Sequence, residues 1–284
     1  MIAAIGDLVE DVVVTMRDEI HRASDTNAIV THRRGGSAAN VAAAIARSGG
    51  RARFIGQVGD DPLGRTLTAD LAALCVDLAV RHHGRTGTIV VLVGADGERT
   101  MLSDRGAATA LDDIEPTCLD GVRLLHIPYY SLVGEPLAST TALLAATARA
   151  LSITISVDAS SSALLAADRR AIDRIRALAP GHVFANEDEA DVLGDALSPR
   201  HLGGAVVVVK RGARPALLDH GDGPVEVTAE RIADVRDTTG AGDAFAAGYL
   251  MAIASGAPPR TAVRNGHAVA ATTIRRVSLS ARGS

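Results

Sequence analysis

The sequence predicts an α/β fold in which a central, mostly parallel sheet is flanked by helices and carries a small β-sheet lid. Three observations predict this fold class. After about residue 120, short apolar runs alternate with segments of helix length. These runs are apolar almost throughout, as parallel strands are when both faces of the sheet are buried. Before residue 110, the extended segments are more polar and alternate in character, which is typical of a sheet with one solvated face.

We expect a single domain over residues 1–284, with lid strands inserted at about 11–34 and 85–105. The apolar runs that predict parallel strands are residues 124–128, 153–158, 182–186 and 205–210. The segments that predict helices are residues 135–150, 162–178, 187–193, 241–254 and 260–275. An Ala-rich helix is also expected after the glycine pair at 35–36.

The predicted lid rests on four extended segments in the first 110 residues. Residues 11–16 and 28–34 read as strands, and residues 87–93 and 99–103 flank the turn sequence 94–98, which indicates a hairpin. Inserts of this kind at strand ends are typical of lids that close over a ligand.

Composition excludes several classes of function. Aromatic residues are 2% of the chain, Trp is absent, and the net charge is −4, so neither a stacking platform nor a basic surface for nucleic acid is expected. No apolar run approaches the ~18 residues of a membrane span, so no membrane partner is expected. Cys75 and Cys118 lack metal or redox spacing and are interpreted as buried small hydrophobes. The N-terminus lacks a signal-peptide pattern, which predicts a cytoplasmic protein.

The strongest candidate for chemistry is the glycine-containing segment 237–245, which leads into an apolar helix. Small residues at Gly240, Ala241 and Gly242 let the first helical N–H groups approach an anion, and the helix dipole favours phosphate there. A carboxylate at Asp243 would repel phosphate unless a hydroxyl lay between them, as it would if Asp243 accepted the proton of that hydroxyl. The alternative is that Asp243 only caps the helix.

Two other nucleotide-binding motifs are excluded. The phosphate-binding loop of P-loop NTPases needs Lys followed by Ser or Thr, but Lys210, the one lysine of the chain, is followed by Arg211. Phe245 stands where a dinucleotide-binding loop would have its third glycine, which argues against a dehydrogenase.

Two further segments predict contacts to a polar ligand. The turn at Gly35 and Gly36 exposes backbone amides, and Asn40 follows on the first turn of the predicted helix. Asp11 follows the first strand, on the side where ligands of open α/β sheets bind. The alternatives are an Asn40 side chain bonded locally and an Asp11 carboxylate that is solvated at a strand edge.

Residues 35–50 and 237–245 resemble the two signature segments of the ribokinase/PfkB family of carbohydrate kinases. Residues 59–64 and 186–189 agree with intermediate motifs of that family, and the resemblance spans essentially the whole chain. The resemblance implies a ribokinase-like fold whose lid often forms a dimer clasp, hence a homodimer. It implies transfer of the ATP γ-phosphate to a hydroxyl of a small sugar or sugar acid, with Mg²⁺ and, in many members, K⁺.

The resemblance also implies roles for particular residues. Asp243 matches the catalytic base. The matching anion-hole positions are Gly240, Ala241 and Gly242, and the matching acceptor-binding positions are Asp11, Gly35, Gly36 and Asn40. Asn186 and Glu189 match an element that positions Mg²⁺, mostly through water, and the phosphates. The matching positions near the nucleotide are Lys210, Gly212 and His267. Asp237 and Thr239 match part of a monovalent-cation loop.

Some matched residues have structural alternatives. Asn186 and Glu189 would also serve to open a helix, and His267 would also serve as a packed core residue. Arg105 aligns with a segment bordering the sugar, where it would bind an acidic or phosphorylated sugar. Its alternative is a surface arginine paired with Asp104 or Glu98.

The acceptor and the cation are the points where the chain departs from the family pattern. True ribokinases have Lys where this chain has Ser37, which counts against ribose. In many members a glycine-containing loop completes the cation site, and this loop has no match after residue 280. The sequence therefore does not predict whether the activity depends on K⁺. The functional alternatives are a nucleoside kinase of the same family, for which the lid lacks aromatic residues, and a non-catalytic sugar or nucleotide sensor.

Overall fold

The structure is a computed structural model that describes residues 1–16, 18–94, 98–228 and 238–280, with side chains as far as residue 276. Its strands are β1 (Ile2–Gly6), β2 (Val9–Met16), β3 (Ala28–Gly35), β4 (Ala52–Val58), β5 (Asp77–His82), β6 (Thr86–Val93), β7 (Arg99–Gly106), β8 (Leu124–Pro128), β9 (Thr154–Asp158), β10 (His182–Asn186), β11 (Val206–Lys210), β12 (Ala216–Asp219) and β13 (Val225–Val227). Its α-helices are α1 (Ser37–Arg47), α2 (Pro62–Ala73), α3 (Leu137–Ala150), α4 (Ser162–Ala167), α5 (Ala171–Ala177), α6 (Glu187–Leu193), α7 (Ala241–Ala254) and α8 (Pro259–Ser280).

Nine strands form the main sheet in the order β13-β12-β11-β10-β9-β8-β1-β4-β5. All neighbours are parallel except β11–β12 and β12–β13. Successive side chains point to opposite faces of a strand, so Ile2 and Ala4 of β1 join the core beneath α1, α2, α7 and α8, whereas Ala3 and Ile5 join the core beneath α3, α4 and α5. The predicted parallel sheet with helices on both faces is confirmed.

Three predictions within the main body differ from the structure. The single helix expected over residues 162–178 is divided, because the Asp168 carboxylate accepts hydrogen bonds from Arg170 N (2.9 Å), Arg174 Nε (2.8 Å) and Tyr129 Oη (2.8 Å) between α4 and α5. The last helix continues beyond residue 275 to Ser280. Cys118 is buried, but Cys75 is exposed because it lies in the turn after α2, with φ +63°.

Four strands form a separate sheet in the order β3-β2-β6-β7, and the hairpin pairing of β6 with β7 is antiparallel, as expected. The predicted turn residues 95–97 lie outside the described residues. Asp61 fastens this sheet to the body, because its carboxylate accepts hydrogen bonds from Thr86 N (2.7 Å) and Gly64 N (2.8 Å). The family-like segment 59–64 therefore joins α2 to the start of β6.

The carboxyl ends of the parallel strands form one edge of the main sheet, and four polar residues stand at this edge. They are Asp7 after β1, Asp158 at the end of β9, Asn186 at the end of β10 and Lys210 at the end of β11. Helices α1 and α7 both begin at the same edge and pack against each other. The topology therefore brings the segments at 35–40 and 237–243 together, although they are about 200 residues apart in sequence.

Candidate active site

Asp243 occupies the third position of α7 and is held by side chains of α1. Its Oδ1 accepts a hydrogen bond from Ser37 Oγ (2.8 Å), and its Oδ2 accepts one from Asn40 Nδ2 (3.0 Å). The residue that precedes α7 as its N-cap is Gly240, and the start of the helix has no side-chain cap. The alternative in which Asp243 only caps the helix is therefore wrong in this structure, because the carboxylate is used between helices.

Burial raises the pKa of Asp243 to about 6, although the hydrogen bonds from Ser37 and Asn40 lower it. A carboxylate with this pKa is ionised at neutral pH yet is a stronger proton acceptor than an ordinary aspartate. Such a group suits general-base chemistry.

The turn before α1 explains how Ser37 and Asn40 reach Asp243. Gly36 has φ +98°, and a Cβ there would lie 2.3 Å from the carbonyl oxygen of Asp7, so only glycine fits. This close approach places the first turn of α1 directly against the end of β1. Arg34 Nη1 then donates to Asn40 Oδ1 (3.1 Å), which fixes the amide so that its Nδ2 faces Asp243.

The start of α7 presents backbone amides at the same edge. Gly240 has φ +73°, and the Ala241 amide donates to the carbonyl oxygen of Thr238 (3.0 Å). Within the described residues, the amides of Gly242 and Asp243 donate to no carbonyl. In this conformation the Gly242 and Asp243 amides are the donors open to an anion. The Ala241 amide, which was also predicted to bind the anion, donates its hydrogen bond within the turn instead.

A buried group of charged residues lies beneath these amides. Lys210 Nζ lies 2.6 Å from Asp158 Oδ2, and an added Cβ at Gly242 would lie 3.4 Å from the same nitrogen. Burial alone would lower the pKa of Lys210, but the carboxylates of Asp158 and Glu189 outweigh it and raise that pKa. The ammonium group therefore stays charged directly below the start of α7.

Glu189 is 3% exposed and forms a capping box with Asn186. Its Oε2 accepts from Asn186 N (2.7 Å), and its backbone N donates to Asn186 Oδ1 (2.8 Å). The helix-opening alternative is thus observed, and a role toward a metal ion stays a prediction. Burial and the nearby Asp158 raise the pKa of Glu189 to about 7.

Asp11 lies on β2 and faces the same region. Burial and the carboxylate of Asp7 raise the pKa of Asp11 to about 6. A Cβ at Gly35 would lie 2.1 Å from Asp11 Oδ1, so the glycine at this position leaves room for the carboxylate. This explains Gly35, whose role toward an acceptor stays a prediction together with that of Asp11.

Arg105 forms an ion pair with Asp7, and its guanidinium carbon lies 3.9 Å from the ring centroid of Tyr130. The alternative, a surface arginine paired with Asp104, is wrong, because Asp104 pairs with Arg85 instead. Arg105 is expected to bind an anionic sugar, but in this conformation its positive charge is already neutralised by Asp7.

The remaining predicted residues are His267, Gly212, Thr239 and Asp237. His267 packs edge-on against Phe245, with ring centroids 5.1 Å apart, and its Nε2 has no hydrogen-bond partner among the described residues. Gly212 lies in the turn after β11 with φ +59°. The hydroxyl of Thr239 accepts from Arg99 Nη1 (2.5 Å), and Asp237 lies outside the described residues.

Sequence reasoning missed Ser37 and Asp158 as members of this site. In the sequence, Ser37 stands out only as a departure from a family pattern, but its place at the first position of a helix after a glycine turn is a usable signal. The end of the apolar run 153–158 at a carboxyl strand terminus was the corresponding signal for Asp158.

A cavity of about 400 Å³ adjoins this site. Its lining includes Asp11, Asn40 and Gly240, so it reaches the residues predicted to contact an acceptor. Its volume lies within the range of small-ligand sites.

Comparison with known proteins identifies the family of this chain. Residues 1–282 match the model of the pfkB family carbohydrate kinases. The chain is 34% identical to a fructokinase of Klebsiella pneumoniae, covering 88% of this chain and 86% of the relative. It is also 34% identical to an ATP-dependent ribose-1-phosphate kinase of Halopiger xanaduensis, covering 84% and 80%.

The fold is shared with solved structures of lower identity. An adenosine kinase from Sinorhizobium meliloti superposes with a TM-score of 0.85 at 24% identity, covering 99% of this chain and 98% of that one. A sugar kinase from Pyrococcus horikoshii in complex with ATP gives 0.81 at 23% identity, covering 97% and 92%.

The family match and the relatives define a phosphotransferase that acts on an alcohol. The chain belongs to the pfkB family of carbohydrate kinases, and its acceptor hydroxyl is therefore that of a sugar. The ribokinase-like fold predicted from the sequence is confirmed.

Proposed function

We propose that this carbohydrate kinase transfers the γ-phosphate of ATP to a small sugar acceptor and that Asp243 is its catalytic base. The observation that carries the proposal is the convergence of Ser37 and Asn40 on Asp243, next to the open amides at the start of α7. The two hydrogen bonds orient the carboxylate, and burial raises its pKa to about 6. It would accept the proton of the sugar hydroxyl as that oxygen attacks the γ-phosphorus.

The residues around Asp243 have complementary roles in this proposal. The amides of Gly242 and Asp243 would hold charge that develops on the transferred phosphoryl group. Lys210, lying beneath them, would add a fixed positive charge, and Asp158 would position its side chain through the 2.6 Å contact. Asp11 and Asn40 would bind acceptor hydroxyls.

We propose that Mg²⁺ enters with the phosphates of ATP. Among the described residues, no group of three or more His, Cys, Asp or Glu side chains is placed to bind a metal ion. Mg²⁺ in kinases is characteristically held by one or two carboxylates together with substrate phosphates. The buried Glu189 and Asp158 fit this, because their charge exceeds that of Lys210 and the pKa of Glu189 is raised to about 7. Mg²⁺ there would neutralise phosphate charge.

The named relatives favour a sugar over a nucleoside as acceptor. The fructokinases and the ribose-1-phosphate kinase are 31–34% identical, whereas the adenosine kinase shares the fold at 24% identity. A nucleoside kinase would use an aromatic surface for the base. Tyr130 lies near the site, but its ring is already covered by Arg105.

We also propose that the small sheet is a lid through which two chains associate. Its edge strands β3 and β7 expose large apolar side chains, namely Ile29, Val30, Met101 and Leu102, each about half exposed. Neighbouring residues of a strand point to opposite faces of the sheet, so Val30 and Leu102 share one face and Ile29 and Met101 the other. Exposed apolar side chains on the face of a sheet are typical of an interface. Light scattering coupled to gel filtration should give a dimer for the natural chain and a monomer for the Val30→Lys, Leu102→Lys variant.

We also propose that the protein is located in the cytoplasm and does not depend strongly on K⁺. Both cysteines are free, which supports a reducing, cytoplasmic setting. Across the described part of the chain, the structure contains no helix that is long and apolar enough to cross a membrane. The Arg99 guanidinium already donates to the Thr239 hydroxyl, so a K⁺ ion there would compete with a positive charge. We expect replacement of K⁺ by Na⁺ to change turnover less than twofold.

ADP release across a panel of acceptors tests the function. The panel contains hexoses, pentoses, 2-keto-3-deoxy acids, sugar phosphates and nucleosides, with Mg²⁺ and with either K⁺ or Na⁺. Turnover that needs a sugar and disappears in Asp243→Asn supports the proposal. Turnover only with nucleosides would assign the chain to the alternative acceptor class. Binding of ATP and sugar by thermal shift, without ADP release, would favour a sensor.

A further inference from the structure

The cavity beside the active site extends away from Asp243 along the outer face of α1. Asn40, Ala44 and Arg47 line it from one side of this helix, since residues three and four apart share a face. With a rise of 1.5 Å per residue, the backbone of Arg47 lies about 10 Å along the axis from that of Asn40. Arg276, near the end of α8, lines the cavity at this remote end. An acceptor bound at Asn40 would therefore extend toward these two arginines.

The lining of the cavity is strongly positive. It carries four arginines against two aspartates, namely Arg33, Arg34, Arg47 and Arg276 against Asp11 and Asp70. Among the described residues, neither Arg47 nor Arg276 forms an ion pair. Arg34 uses one nitrogen to orient Asn40 (3.1 Å), and it lies between the base and the remote arginines.

The arginines are close enough to repel one another. Burial and then the charge of Arg47 lower the pKa of Arg34 to about 10. Burial and then the charge of Arg276 lower the pKa of Arg47. A bound anion would relieve this repulsion, because it would supply the negative charge that the two aspartates do not.

A neutral sugar gives no reason for this arrangement, since hydroxyl groups are bound well by amides and carboxylates. Guanidinium groups bind phosphate and carboxylate through paired, charge-assisted hydrogen bonds. We infer that Arg47 and Arg276, together with Arg34, bind an oxyanion carried by the sugar at the end remote from the hydroxyl that is phosphorylated. The acceptor is then an anionic sugar, and three guanidiniums lining one cavity favour a phosphate monoester, which carries more negative charge than a carboxylate. This inference rests on the proposed kinase function.

The test compares charged acceptors with their neutral parents. ADP release is measured with ribose and ribose 1-phosphate, with fructose and fructose 1-phosphate, and with 2-keto-3-deoxygluconate as a carboxylate. The variants are Arg47→Gln and Arg276→Gln. The control is Arg149→Gln, which removes an exposed arginine of α3 that bonds to the Ala177 carbonyl on the other side of the sheet. In the natural protein, the KM for a charged acceptor should lie at least tenfold below that of its neutral parent.

Each cavity variant should raise the KM for the charged acceptor at least tenfold. It should leave kcat within threefold and leave the KM of the neutral parent unchanged, and the control should change neither. A thermal shift caused by the phosphorylated sugar without ATP should be lost in the double variant, whose unliganded Tm shows that it is folded. A preference for the sugar acid supports the same site with a carboxylate as its ligand.

Two outcomes separate failure of this inference from failure of the kinase function. Turnover of neutral sugars with no gain from a charged group overturns the oxyanion site and leaves the kinase function intact. Absence of ADP release and of thermal shift with every acceptor overturns both.

Discussion

Replacing the base by its uncharged isostere, Asp243→Asn, separates the chemical role of the carboxylate from its structural cost. The variant keeps the shape of the side chain and an oxygen that accepts from Ser37, but it cannot take a proton, and its amide nitrogen loses the hydrogen bond from Asn40 Nδ2. Loss of a general base reduces turnover by about 10²–10⁴-fold. ATP binding should change less than twofold, because the Gly242 amide and Lys210 remain in place. Steady-state ADP release and equilibrium ATP binding measure the two quantities.

The structure also predicts that Asp243→Asn is more stable than the natural protein at neutral pH. Burial raises the pKa of Asp243 from 3.8 to about 6, so the folded state binds this proton more tightly than the unfolded state. Stability from this group is therefore highest below about pH 4, falls as pH rises to about 6, and is constant above. A shift of roughly two units corresponds to about 3 kcal/mol. Asparagine removes this cost but loses the hydrogen bond from Asn40, worth about 1 kcal/mol, so the net Tm gain at pH 7–8 is roughly 3–6 °C.

The pH dependence distinguishes this effect from a general change in packing. The stability gain of Asp243→Asn should fall below half at pH 5, where the natural carboxyl is largely protonated in the folded state. Asp173→Asn is the matched control, since Asp173 is a half-exposed acid of α5 paired with Arg176. Near-normal turnover in Asp243→Asn would refute the assignment of the base. A gain in Tm that is the same at pH 5 and pH 8 would refute the account of burial.

Three further substitutions test the surroundings of the base. In Gly35→Ala the new Cβ would lie 2.1 Å from Asp11 Oδ1, so the Asp11 carboxylate would have to move. We expect kcat/KM to fall at least tenfold, and an unchanged KM for the acceptor would contradict this. Lys210→Met leaves the buried Asp158 without its cation and should reduce the free energy of unfolding by about 3–5 kcal/mol in urea titrations. An unchanged free energy of unfolding would show that water compensates the charge of Asp158. Glu189→Gln keeps the acceptor for Asn186 N but loses the hydrogen bond from Asn186 Nδ2, so Tm should fall by only a few degrees while the Mg²⁺ concentration for half-maximal turnover rises about tenfold. An unchanged Mg²⁺ requirement would remove Glu189 from the metal site.

The strands of the main sheet differ in how far the sequence predicts them. The runs ending at Asp158, Asn186 and Lys210 are apolar on both faces, and each observed strand starts within one residue of its prediction. By contrast, β4 carries Arg53 and Gln57 and was not predicted. The Arg53 guanidinium turns out of the sheet to pair with Asp77 (2.5 Å), which a one-dimensional pattern does not reveal.

The candidate site shows a similar division. The residue types at 35–40 and 237–243 predict an anion site and a base, because glycine turns and helix starts are local features. The hydrogen bonds from Ser37 and Asn40 to Asp243 join positions more than 200 residues apart, so only the packing of α1 against α7 places them together. The arginine cavity was beyond sequence reasoning for the same reason, since Arg47 and Arg276 lie on two separate helices.

The contact between Ser37 and Asp243 ties the first seventh of the polypeptide to its last sixth. During synthesis, the ribosome releases α1 long before α7 exists, so the nascent chain can form most of the sheet while it still lacks any competence for catalysis. Turnover would then report complete assembly more strictly than bulk spectroscopic signals do. If the chain is divided before α7, each fragment alone should be inactive. Co-expression of the two fragments should restore activity only when they reassociate.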